Sequence, residues 1–171
     1  MNYCRTFVRR ISNDMVESMR IALGSDHAGF DLKAVLATTL AEWGHDTLDL
    51  GTDNATESVD YPDFGAAVGR SVASGECDLG VAVCGSGIGI SIAANKVPGV
   101  RAAVVHDVTS AHLAREHNHA NVLCLGSRLT GSTVAVEALA AWLNATPEKG
   151  RHVARIAKLD ELDEQLVADE R

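Results

Sequence analysis

The sequence predicts an α/β fold: a single-domain, open, doubly wound five-stranded parallel sheet, a Rossmann-like α/β/α sandwich with a C-terminal helix packing on a partner subunit. Three observations carry that expectation. Short apolar runs alternate with segments of helical periodicity from Met19 onward, a pattern that calls for parallel strands joined by crossover helices. The runs end in glycine, serine, aspartate or histidine, the small and polar residues of strand-to-helix turns. The 171 residues, 46% hydrophobic and 22% charged, suit one soluble domain with a single core.

Residues 1–18 are read as an extension outside the fold and 19–171 as the domain. The extension is basic at first and lacks the apolar core of a signal peptide. Met15 or Met19 is the expected start, and native peptides from the first ten residues in a mass spectrum would reject that. "RIALGSD" (20–26) reads as the first strand. In "GFDLKAVLATTLAEWG", Leu32, Val35, Leu36, Leu40 and Trp43 share one helical face and Gly44 closes the helix. "DTLDLG" is strand two and "TDNATESVDYP" a polar loop. "DFGAAVGRSVASG" is a helix opened by Asp63 and closed by Gly75. "CDLGVAVCG" is strand three, "GISIAANK" a short helix and "VRAAVVHD" strand four. "VTSAHLAREHN" is the next helix, "ANVLCLGS" strand five and "TGSTVAVEALAAWLNA" the fifth helix. From Pro147 on, Val153, Ile156, Leu159, Leu162 and Leu166 recur at helical spacing among many charges. That helix needs a covering surface, from a partner subunit or from the parent domain, and a homodimer or larger homo-oligomer is expected.

A formal charge of −8 and only seven aromatic residues argue against nucleic acid as a partner, while leaving room for clustered arginines to hold a small anion. The longest uncharged run, Leu79 to Asn95, is shorter than the ~20 residues of a membrane span and carries four glycines, so no membrane is expected. Cys4, Cys77, Cys84 and Cys124 form no CxxC pair, which points to a reducing, cytoplasmic setting.

In open α/β sheets ligands bind beyond the carboxyl ends of the strands. Those ends carry Asp26-His27, Cys84 to Gly89, His106-Asp107 and Gly126-Ser127-Arg128. "CGSGIG" offers a run of backbone N–H groups leading into a helix, a cradle for an anion. It is GxGxG after the third strand, with Ile90 where a dinucleotide loop has its last glycine. His106-Asp107 follows at about the distance of a ribose-binding acid, so dinucleotide binding stays as an alternative. Cys84 is either a small core residue, as Cys77 and Cys124 are taken to be, or a poised thiolate favoured by glycine amides and a helix start. His117, His119 and Glu116 lack a third metal ligand at recognisable spacing, and no metal is expected. His45 and His112 are read as surface histidines at helix ends. Arg151 and Arg155 lie four apart on one helix face, where two guanidiniums either grip a phosphate or stay solvated.

Together "GSDHAGF", "DYPDF", "CGSGIGISIAANK", "REHNHANVLCLGSR" and "GRHVARI" resemble the ribose-5-phosphate isomerase B family, which includes allose- and galactose-6-phosphate isomerases. Five motifs in order, from Met19 to the middle of the tail helix, make the resemblance specific. It implies interconversion of ribose 5-phosphate and ribulose 5-phosphate through an enediolate, a step of the pentose phosphate pathway, with no cofactor. It also implies roles. Cys84 is the base that moves the proton between C2 and C1, and Ser86, where the family often has threonine, helps the proton move between the oxygens. Asp26 handles the ring oxygen or a hydroxyl, and His117 from a neighbouring subunit assists ring opening. The amides of Gly85, Gly87 and Gly89 stabilise the enediolate. Arg151 and Arg155, with His27, His152 and Arg128, receive the phosphate of a small-molecule sugar phosphate, and Tyr61 and Asn118 contact the sugar. One branch of the family has a glutamate base where this chain has Ile90, which leaves Cys84. The alternatives are an allose-6-phosphate or related hexose-phosphate isomerase, or a non-catalytic sugar-phosphate or dinucleotide-binding module. A phosphorylated receiver would need an acid where Cys84 stands.

Overall fold

The computed structural model describes residues 18–169. Residues 1–17 of the extension, with Cys4 and the expected start at Met15, lie outside the described residues. Five strands form one parallel sheet in the order β2-β1-β3-β5-β4. They are β1 (Arg20–Ser25), β2 (Asp46–Asp49), β3 (Leu79–Cys84), β4 (Ala102–Val104) and β5 (Val122–Gly126). A 3-10 turn at His27–Gly29 leads into α1 (Phe30–Glu42), followed by α2 (Tyr61–Ala73), α3 (Ile88–Ala94), α4 (Val108–Asn118), α5 (Ser132–Asn144) and α6 (Arg151–Asp169).

The three central strands β1, β3 and β5 are buried on both faces, as the interior of a parallel sheet requires. Ile21, Leu23, Val81, Val83, Leu123 and Leu125 point to one face, where Leu36 and Leu40 of α1 meet Ala138, Leu139 and Trp142 of α5. Ala22, Ala82, Cys84 and Cys124 point to the other, beneath Val68 and Val72 of α2 and Ile90 and Ala94 of α3. Small residues line that second face because α2 rides close to the sheet: a Cβ on Gly80 would stand 2.6 Å from the Val68 side chain. Burial, with Cys84 nearby, pushes the Cys124 thiol up, which fits a core cysteine. The chain winds from β2 back across β1 to β3, so the carboxyl ends of β1 and β3 flank the point where the winding reverses.

Three expectations need correction. The second helix begins at Tyr61, not Asp63; Asp60 occupies the cap position, Pro62 suits the first turn and Asp63 complements the helix dipole there. The fourth strand is only Ala102–Val104, since at the sheet edge it has a single neighbour, β5. His45 is not at the surface: it is buried after α1, and its Nδ1 accepts the Met19 N–H at 3.3 Å. Burial lowers its pKa from the ordinary 6.5, because desolvation penalises the imidazolium.

The tail helix α6 docks on its own domain at Ile156, through Asp160 to Arg101 at 3.0 Å, and through the Asp163 carboxylate accepting the Gly99 N–H at 2.7 Å. Val153, Leu159 and Leu162 stay exposed on it. No helix among the described residues is long and apolar enough to cross a membrane.

Candidate active site

Each strand end at the reversal point presents a functional group because the chain must turn there. After β1, Asp26 is buried, and its Oδ1 accepts the Gly29 N–H at 2.9 Å, capping the 3-10 turn. His27 accepts the Val59 N–H on Nδ1 at 3.2 Å, which ties down the segment leading to Tyr61 and places any N–H of the neutral ring on Nε2.

After β3 the Cys84 side chain is 4% exposed, and its Sγ accepts the Gly87 N–H at 3.1 Å. Gly87 takes φ 78°, a conformation that glycine adopts freely. The loop is clamped to the turn after β5: Ser127 N–H donates to Cys84 O at 2.9 Å and Arg128 N–H to Gly85 O at 3.0 Å. Gly126 is obligatory in this packing, since a Cβ there would lie 2.6 Å from the Ser86 carbonyl. At Gly89 a Cβ would meet the exposed Tyr61 ring at 2.6 Å, so that ring would have to move aside. The Gly87 N–H is thus spent on the sulfur and the Ile88 N–H on Ser86 Oγ at 3.3 Å. Among the described residues, the N–H groups of Gly85, Ser86 and Gly89 have no partner and are free to receive an anion.

These groups line one cavity of about 390 Å³, which brings together Asp26, His27, Tyr61, Cys84, Gly85, Ser86, Gly89 and Arg128. Ala28 and the exposed Leu129 also line it. Neither was singled out in the sequence, although both directly follow residues that were. Ile90 is fully buried in the core under the loop. Asp107 is not part of the cavity; it caps α4 in a reciprocal box with Ser110, whose backbone N–H is the main cause holding its carboxyl below the usual range.

The other expected residues gather elsewhere. His117 lies in the last turn of α4 and His152 in the first turn of α6. Their rings stack with centroids 4.4 Å apart and 13° between planes. Arg151 Nε donates to His152 Nε2 at 3.2 Å, and Asn118 and Arg155 are exposed beside them. Because α4 joins two parallel strands, it runs back along the sheet, and its end sits at the amino edge of β5. The cavity is at the carboxyl edge, roughly 16 Å away for a five-residue strand.

The structure also supplies what linear spacing could not, a third group near His117. Glu148 Oε2 is 3.8 Å from His117 Nε2 and 3.0 Å from His152 Nε2. The donor atoms of these three residues all fall within 4.8 Å of one another. A carboxylate four residues ahead of a histidine near a helix start was the available signal.

A thiol, a carboxyl, a hydroxyl and free amides around one cavity can move protons on a carbonyl compound and hold the resulting oxyanion. Residues 21–159 match the family model described as Ribose/Galactose Isomerase. The chain belongs to the ribose/galactose isomerase family. Ribose-5-phosphate isomerase B of Escherichia coli is 44% identical over 85% of this chain and 97% of that protein. The galactose-6-phosphate isomerase subunit LacB of Clostridium acetobutylicum is 42% identical over 85% of this chain and 84% of its own length. The solved ribose-5-phosphate isomerase B of Clostridium thermocellum superposes with a TM-score of 0.85 at 49% identity, covering 86% of this chain and 99% of that one. As a member of the ribose/galactose isomerase family the chain is a sugar-phosphate aldose–ketose isomerase, and its doubly wound sheet is the fold of that solved relative.

Proposed function

We propose that the chain interconverts ribose 5-phosphate and ribulose 5-phosphate, with Cys84 as the carbon base. The observation that carries this reading is one cavity lined by Cys84, Asp26 and the residues Gly85, Ser86 and Gly89, whose N–H groups have no partner among the described residues.

In this scheme Asp26 and the partner subunit's His117 open the sugar ring. The Cys84 thiolate takes the proton from C2 as the electrons move onto O1, giving an enediolate that the free amides stabilise. The same sulfur returns the proton to C1, and the Ser86 hydroxyl passes a proton from O2 to O1, so the ketose forms with no net loss of atoms or electrons. Arg151 and Arg155 of the partner subunit, aided by its His152, hold the phosphate, while His27, Arg128, Tyr61 and the partner subunit's Asn118 position the sugar. Two copies are required because the two groups of residues occupy opposite edges of one sheet. The exposed Val153, Leu159 and Leu162 on α6 support a homodimer or larger assembly. The free thiols Cys77, Cys84 and Cys124 fit a reducing cytoplasm. A hexose-phosphate substrate is the second reading, favoured by the likeness to the galactose-6-phosphate isomerase subunit.

The test is turnover of ribose 5-phosphate by EDTA-treated protein, with Cys84→Ala and allose 6-phosphate run in parallel. Turnover that survives EDTA and collapses in the variant supports the thiolate mechanism, and the ratio of rates on the two sugars assigns the substrate. Full activity in Cys84→Ala removes the cysteine, and no turnover of either sugar overturns the assignment.

A further inference from the structure

The histidine pair at the amino edge carries more acidic and ligating groups than phosphate binding calls for. Glu148 is fixed at both ends of its backbone: its N–H donates to Glu116 O at 2.8 Å, and its carbonyl lies 3.2 Å from His119 Nε2. Its carboxylate therefore faces two imidazoles that are themselves held, one in a helix end and one buried. A tetrahedral ion bound about 2.1 Å from each donor needs donors roughly 3.4 Å apart. The separations of 3.0 and 3.8 Å from Glu148 Oε2 to His152 and His117 straddle that value. The three donor atoms lie within 4.8 Å of one another, so a common ion calls for the nearly parallel rings to tilt their donor nitrogens together.

We propose that His117, Glu148 and His152 form a site for a divalent transition-metal ion of the Zn²⁺ class, and that an ion bound there inhibits the enzyme. Two imidazoles and a carboxylate, with an open side, are a donor set such ions accept. The His117 and Glu148 side chains are 34% and 52% exposed, which gives the ion an entry path and room for water. The charges facing the site are mixed. Arg151, whose Nε is 3.2 Å from His152 Nε2, must swing away, whereas Glu116 Oε2, 3.3 Å from His117 Nε2, offsets that cation. His112 sits behind Glu116 at 3.5 Å. The ion is not a cofactor here: it removes from the substrate the histidine assigned to ring opening. The inhibition, though not the binding, rests on the role proposed above for His117.

The experiment uses full-length protein stripped with EDTA and dialysed, titrated with Co²⁺ while its visible d–d bands are followed. Wild type and Cys84→Ala are expected to bind one Co²⁺ per chain, with affinity falling at least ~10-fold in Glu148→Gln and in His152→Ala. If His152→Ala fails to fold, His117→Ala carries the same expectation. Zn²⁺ inhibition of each variant, scaled to its own metal-free rate, is expected to need at least ~10-fold more ion in Glu148→Gln. Absence of Co²⁺ binding, binding untouched by these substitutions, a thiolate-to-metal band abolished by Cys84→Ala, or equal Zn²⁺ sensitivity in Glu148→Gln would each overturn the proposal. The Co²⁺ arm needs no turnover, so it answers even if ribose 5-phosphate is not the substrate.

Discussion

The cavity at the carboxyl edge and the histidine group at the amino edge are built in opposite ways. Around Cys84 the work is done by backbone: glycines pressed against Ser86 and Tyr61, and N–H groups aimed by a clamped loop. Around His117 it is done by side chains from α4, α6 and the segment between α5 and α6, which touch only because those elements end together. A backbone-built site has fixed dipoles and little freedom to adapt. A side-chain site can reorient, which suits the role proposed for it of receiving the phosphate of a substrate held in another subunit.

The strongest way to break this contrast is to disable the two regions separately. Cys84→Ala and His117→Ala are each expected to lower kcat at least ~10²-fold while leaving the thermal unfolding curve in place. Co-expressed, the two inactive chains should regain activity, because in a mixed two-fold dimer one site receives both intact groups; on random pairing about a quarter of all sites are whole. Failure to regain activity would mean that the two regions do not meet across subunits.

Rigidity of the cavity is tested by Gly126→Ala. Its new Cβ, 2.6 Å from the Ser86 carbonyl, has backbone and not a flexible side chain to displace. Urea unfolding is expected to show a loss of roughly 1–3 kcal/mol, with a fall in kcat as the loop shifts. Wild-type stability together with wild-type kcat would show the loop to be pliable. On the other region, Arg151→Ala should raise KM roughly 10-fold, the order expected for one hydrogen bond to a charged group, with a smaller change in kcat. An unaltered KM would assign the phosphate to Arg128 and His27 instead.

The smallest effect concerns a residue outside both regions. The depressed pKa of buried His45 means that the unfolded chain binds a proton more readily than the folded one. Its contribution to stability is present above the unfolded value near 6.5 and is lost as pH falls below it. The midpoint of thermal unfolding should drop less steeply below that pH in His45→Gln than in wild type. Identical slopes would show that His45 charges without penalty.

The same contrast explains what could be read from the amino acids. Strand ends and the glycine loop are local, so the alternation of elements and the grouping of Asp26, Cys84 and Ser86 followed from order along the chain. His45 was misplaced because a histidine after a helix looks solvated unless one knows that Met19 covers it. The start of α2 was put two residues late because Asp63 resembles a cap, while Pro62 signalled the true first turn. The spacing of Glu148 to His152 was legible, but its place beside His117 was not, because that depends on α5 ending next to α4.

The close approach of Gly126 to Ser86 and of Gly89 to Tyr61 also limits how the enzyme can be retailored. Gly126 cannot be enlarged alone, because a Cβ there meets the Ser86 backbone, and Gly89 can be enlarged only if the Tyr61 ring moves with it. Leu129, 61% exposed at the cavity rim, carries no such tie. Selection for sugars of another length, in nature or in a library, therefore has its open path at the rim, where a side chain can grow or shrink without disturbing the groups proposed to transfer protons beneath it.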